Sequence, residues 1–171
     1  MNQRRLVFFS LIVLAVALTT VVTPAWADVR ILVVGDSWAQ GICGFKAFET
    51  VFQNHGVEGI EVAGDGTTAI GGSRADQWAS NHKDKLTILD QALAENPSID
   101  IAHISIGGND FLSASMKENV CALSKSERKA VWERVWNDIE TLINHIKEQR
   151  PGIKILLNSY DYLDHTLMTA R

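Results

Sequence analysis

Aliphatic residues in this chain fall in short blocks separated by longer amphipathic stretches. Val29 to Val34 is aliphatic at five of six positions, which predicts a strand buried on both faces of a parallel sheet. The run stops at Gly35-Asp36-Ser37, and a helix is predicted from Trp38 to Phe52, its pattern interrupted by Gly-Ile-Cys-Gly at 41–44. Phe45, Phe48 and Phe52 recur at helical spacing and are expected to pack into the core. His55-Gly56 reads as the helix C-cap. A second strand, Ile60 to Ala63, opens into a glycine-rich loop from Gly64 to Ser73. An uneven helix then runs from about Arg74 to Glu95, with Trp78, Leu86, Leu89 and Leu93 inward, and Asn96-Pro97 ends it. Ile99 to Ile106 is a third strand, finishing at Gly107-Gly108-Asn109-Asp110. Ser124-Lys125-Ser126-Glu127 fits a capping box for a long helix. Val131, Val135, Ile139, Leu142 and Ile146, with Trp132 and Trp136 alongside, form its expected inner face. Pro151-Gly152 stops that helix before a fourth strand, Ile153 to Leu157. Strands alternating with helices predict an α/β fold: a parallel sheet with right-handed crossovers, whose ligands bind beyond the carboxyl ends of the strands.

The first 27 residues stand outside this pattern. Arg4-Arg5, an apolar run from Leu6 to Val22 and then Pro24-Ala25-Trp26-Ala27 make a secretory signal peptide with cleavage after Ala27. An uncleaved membrane anchor is the alternative, since the run is near the lower limit for spanning, and the small-residue site favours removal. The expected product is exported, periplasmic or secreted, and carries no stable membrane anchor. Residues 28–171 suffice for one domain with a core. Without Arg4 and Arg5 the net charge moves from −4 to −6 and no basic cluster remains, which argues against nucleic acid as a partner. In an exported protein Cys43 and Cys121 are candidates for a disulfide, worth about 4 kcal/mol in the chain-entropy model; two buried thiols are the alternative. Neither cysteine has a second ligand at usable spacing, so no metal is expected.

Candidate chemistry gathers where strands end. Ser37 occupies a strand-to-helix corner, where backbone N–H groups are unpaired and the dipole is positive. It reads either as a nucleophile or as a helix cap. Gly64 to Ala69 formally matches Gly-x-Gly-x-x-Ala, yet further glycines precede any helix, so a dinucleotide site is disfavoured. The loop reads instead as backbone kept bare for close approach. His103, inside a strand, is expected to be a core residue, and His145, late on its helix, a surface one. Ser37, Gly72 and Asn109 follow successive strands, and that convergence favours the catalytic reading of Ser37.

Gly35-Asp36-Ser37-Trp38, Gly72-Ser73-Arg74-Ala75-Asp76-Gln77-Trp78 and Gly107-Gly108-Asn109-Asp110 resemble, in order, the first three signature blocks of the SGNH, or GDSL-type, hydrolases. The common leucine of the first block is Trp38 here. The resemblance covers about Val29 to Leu157. It implies a flavodoxin-like three-layer α/β/α domain and serine-ester hydrolysis without a cofactor. Ser37 would attack the acyl carbonyl of a small-molecule or carbohydrate ester. The Ser37 N–H, the Gly72 N–H and the Asn109 side chain would form the oxyanion hole, while Asp36 supports the turn. The family's fourth block, Asp-x-x-His after a fifth strand, has no match. The tail has Asp161-Tyr162-Leu163-Asp164-His165 instead, at the wrong spacing and directly after the fourth strand. His165 is therefore read as a loop residue, with the role of base as the alternative. The expectation is a domain at 28–171 that is incomplete at its C-terminus, with the fifth strand missing and activity impaired. A non-catalytic module that keeps the cleft to hold a carbohydrate or acyl group is the competing reading.

Overall fold

The aliphatic blocks become four parallel strands, and the amphipathic stretches become the helices that cross between them. The computed structural model describes residues 28–112 and 123–158. Strand β1 (Asp28–Gly35) is followed by α1 (Ser37–Gly44), α2 (Ala47–Asn54) and β2 (Ile60–Ala63). Next come α3 (Ala75–Ala79), a 3₁₀ turn (His82–Asp84), α4 (Lys85–Glu95), β3 (Ile101–Ser105), α5 (Lys125–Gln149) and β4 (Lys154–Leu157). The sheet order is β2-β1-β3-β4, and every described pairing is parallel. Helices cover both faces, which makes this a flavodoxin-like three-layer α/β/α fold.

Register decides what each face carries. Val33 lies beside His103, and His103 beside Leu156. Side chains alternate along a strand, so Ile31, Val33, Ile101 and His103 point toward α1 and α2, where Ala39, Phe48 and Phe52 meet them. Leu32, Val34, Ala102 and Ile104 point the other way and pack on Trp78 of α3, Leu89 and Leu93 of α4, and the inner stripe of α5.

Helix α5 shows how local sequence sets an element. The Ser124 Oγ accepts from the Glu127 N–H at 3.3 Å, and the Glu127 carboxylate accepts from the Ser124 N–H at 2.7 Å. That reciprocal cap starts the helix where the spacing predicts it. Val131, Val135, Ile139, Leu142 and Ile146 are all buried. At the other end the Arg150 guanidinium donates to the carbonyls of Asn96, Pro97 and Ile99, at 2.9 to 3.3 Å, and of Leu93. It thereby closes the end of α4 and fixes the entry to β3.

Four expectations change. The helix expected from Trp38 to Phe52, with its pattern interrupted at 41–44, is two separate helices, because Lys46 adopts a left-handed conformation (φ 49°) just after that interruption. Phe45 falls at that break and is 85% exposed, while Phe48 and Phe52 pack inward. The stretch from Arg74 to Glu95 is likewise split, by left-handed Asn81, Lys83 and Asp84. Trp132 and Trp136 are about half exposed, since each sits one residue, or roughly 100° of helix, beyond a buried valine. His55-Gly56 ends α2 as expected, with Gly56 at φ 75°.

Candidate active site

The site is built at the carboxyl ends of β1 and β3 and in the loop after β2. Gly35 ends β1 against β3: a Cβ there would stand 1.9 Å from the Ser105 carbonyl oxygen, so only glycine lets the strands approach this closely. The Asp36 N–H donates to that same Ser105 oxygen at 3.0 Å. Buried Asp36 then caps α1, accepting from the Trp38 N–H at 3.0 Å. The cap is thus Asp36, and the reading of Ser37 as the cap is overturned. Ser37 is the first residue of the helix and exposed. Its N–H belongs to the turn whose donors have no intrahelical acceptor.

The glycine-rich loop folds back on β1. The Gly35 N–H donates to the Thr68 carbonyl, and the Ile70 N–H returns a bond to the Gly35 carbonyl, both at 2.9 Å. Buried Ser73 also donates to the Gly35 carbonyl, at 2.8 Å. Gln40 of α1 accepts from the Gly71 N–H at 3.1 Å, and a Cβ on Gly71 would lie 4.0 Å from that of Ser37. Gly72 follows at φ 76°, exposed and with open space beside its Cα. No helix opens before Ala75, a geometry unlike the dinucleotide fingerprint.

The turn after β3 ties both other turns together. Asn109 Nδ2 donates to the Ser73 carbonyl at 3.0 Å and reaches the Asp36 carboxylate at 3.5 Å. The first is a proper hydrogen bond and the second is at the limit of one. Next to it, buried Asp110 accepts from the N–H groups of Ala75 and Asp76, at 2.7 and 3.3 Å. It caps α3 from 35 residues away in sequence. Burial pushes its carboxyl above the usual carboxylate range, while the two amide donors pull it down. The turn itself rests on α5, where Gly107 stands against Val135 and Ile139.

The remaining candidates lie elsewhere. His103 is buried against Phe48, ring centroids 5.0 Å apart, with no partner on Nδ1, and burial lowers its pKa. It is a core residue as expected. His145 Nε2 meets the Asp90 carboxylate at 2.7 Å, linking α5 to α4. Cys43 is a half-buried free thiol whose pKa burial, with Asp65 and Glu49, raises to about 11. Such a thiol is a poor nucleophile at neutral pH. Cys121, its candidate disulfide partner, lies outside the described residues, as do His165 and residues 1–27, the expected leader. Among the described residues no histidine is hydrogen-bonded to Ser37, no cluster of His, Cys, Asp or Glu could hold a metal, and no helix is long and apolar enough to cross a membrane.

Asp110 is the positioning residue that reading along the chain missed. Its signal was present in the Asn-Asp pair, but its partner is a helix end contributed by a distant loop. No family model matches the chain, and neither a curated protein nor a solved structure matches it.

Proposed function

We propose that this chain is an exported ester hydrolase of the SGNH type, with Ser37 as its nucleophile. The observation that carries the reading is the Asn109 amide, bonded to the loop that bears Gly72 and reaching the residue before Ser37. In the reaction Ser37 Oγ bonds to the acyl carbon of an ester and gives its proton to a base. The carbonyl oxygen becomes an oxyanion held by the Ser37 N–H, the Gly72 N–H and the second hydrogen of the Asn109 amide. Collapse expels the alcohol, which takes the proton, and water then releases the acid from the acyl-serine. The Asp36 contact at 3.5 Å is weak enough for Asn109 to exchange it for the oxyanion. Donors aimed in advance in this way stabilise the transition state.

A fluorophosphonate should label Ser37, and Ser37→Ala should abolish both labelling and p-nitrophenyl acetate hydrolysis. Asn109→Ala should lower kcat by about 10²–10³. His165, read from the sequence as a loop residue, has the role of base as its alternative: in that role His165→Gln would cut labelling as steeply, and unchanged labelling would leave it a loop residue. Absence of labelling in the unaltered chain would defeat the reading. A second reading, a binding module without turnover, is favoured by the lack of any histidine bonded to Ser37 among the described residues. It expects ligand-induced stabilisation that survives Ser37→Ala. Export with cleavage after Ala27 is proposed from the leader pattern, and N-terminal sequencing of the exported protein should begin at Asp28.

A further inference from the structure

We propose that Gln40 is a positioning residue for the candidate oxyanion hole: its side chain holds the middle of the glycine turn so that the Gly72 N–H is presented at Ser37. The Ser73 N–H donates to the Ile70 carbonyl at 3.2 Å, which closes Ile70-Gly71-Gly72-Ser73 as a β-turn. Gly72 holds the third place with φ 76°, and Gly71 has no positive φ, the pattern of a type II turn. The fate of its four N–H groups shows what the turn leaves over. Ile70 donates to the Gly35 carbonyl at 2.9 Å, Gly71 to the Gln40 Oε1 at 3.1 Å, and Ser73 to Ile70. Among the described residues nothing accepts from Gly72. Of the four, its N–H is the one left for a ligand, and the space beside its Cα is open.

A free donor stabilises an oxyanion only if it is aimed. Glycine at both central positions admits the type I, II, I′ and II′ forms, and these turn the central N–H in different directions. The ends of the turn are fixed to the sheet. The Ile70 N–H and the Ser73 hydroxyl both donate to the Gly35 carbonyl, and Asn109 donates to the Ser73 carbonyl. The middle, among the described residues, has a single tie, which is Gln40. It sits three positions after Ser37 on α1, so the two side chains are neighbours on one face of the helix. A Cβ on Gly71 would be 4.0 Å from that of Ser37. One turn of helix thus carries both the hydroxyl and the group that sets the donor.

Gly71 records how close this clasp is. A Cβ there would stand 2.7 Å from the Gln40 Oε1, nearer than van der Waals contact allows, so even alanine would push the amide aside. The Gly71 backbone is not left-handed; what calls for glycine is the approach of Gln40. Gln40 acts through Gly72 and touches no reacting atom. In its effect on catalysis it rests on the reading of Ser37 as nucleophile, whereas the clasp itself does not need the hydroxyl.

Two variants of the full chain, on different elements, should act alike: Gln40→Met, of similar length but without an acceptor, and Gly71→Ala, which displaces the acceptor. In each, kcat for p-nitrophenyl acetate should fall about tenfold with KM unchanged, at unchanged circular dichroism and urea midpoint. The double variant should lose no more than either single one, because both break the same bond. By NMR the Gly71 amide should exchange with solvent about tenfold faster in Gln40→Met. Gln40→Glu, which keeps an acceptor at the same reach, should retain the slow exchange. Unchanged Gly71 exchange in Gln40→Met, unchanged kcat in an active chain, additive losses in the double variant, or losses matched by a lower urea midpoint would overturn the proposal. Fluorophosphonate labelling with indifferent Gln40 variants would sink the clasp and leave the hydrolase standing. An unlabelled chain whose Gly71 exchange still depends on Gln40 would do the reverse.

Discussion

The two faces of the sheet are unequally built. Among the described residues, α3, α4 and α5 close on one side over a cluster of sixteen buried residues, among them Trp78, Leu142 and Ile146. On the other, α1 and α2 cover a cluster of four, Ile31, Val33, Ala39 and Ala69, edged by half-buried Phe48 and Phe52. The contrast continues at β4, where Ile155 and Leu157 pack on the thick side while Leu156, facing the thin side, is 50% exposed. The buried contacts of the described residues are thus concentrated on one face. The candidate nucleophile rides on the first helix of the other, and the loop and turn beside it are tied back by Asn109 and Asp110.

The sharpest way to break this comparison is at Trp78. It is fully buried on the thick face, and its indole N–H reaches the Ser73 hydroxyl at 3.4 Å. Trp78→Ala should destabilise by about 3–5 kcal/mol, read as a fall in urea midpoint. Phe48→Ala on the thin face should cost about 1–2 kcal/mol, the part of a phenyl ring that its partial burial removes from water. Equal losses at the two positions would contradict the asymmetry.

His103 tests the thin face by pH. Its pKa is lowered in the folded chain by burial, so the unfolded chain takes up a proton first. Above the ordinary histidine value, near 6.5, the residue is neutral in both states and contributes no slope. As pH falls through that value stability should drop, until the folded pKa is reached. His103→Phe should flatten the stability profile below about pH 6.5, and denaturant midpoints followed downward from that pH measure it. An unchanged slope would mean that His103 is not sealed by Phe48. The smallest effect belongs to Leu156→Ser, expected within about 0.5 kcal/mol of the unaltered chain. A larger loss in thermal unfolding would show that something covers Leu156.

Legibility followed sequence distance. The four strands and the start of α5 were readable because aliphatic runs and the Ser124–Glu127 box act over a few residues. The stop of α2 at His55-Gly56 was readable for the same reason. The break at Phe45 was legible only as the glycine interruption at 41–44, and its exact place was not, since a left-handed lysine carries no composition signal. Period counting grouped Trp132 and Trp136 with the inner stripe, although one residue's rotation takes each of them outward. At the site, Ser37, Gly72 and Asn109 were legible as strand ends. Their ties through Asp110, Gln40 and Ser73 were not, because each joins elements that only the folded sheet brings together.

The bridge made by Asn109 and Asp110 has a consequence for biosynthesis. The hydroxyl leaves the ribosome with residue 37, and its proposed amide donor emerges some seventy residues later. Domains form as units while the nascent chain lengthens. A stalled or nicked product that ends before Asn109 would therefore display the serine without the side chain proposed to hold its oxyanion, and on the proposed mechanism it should be inert.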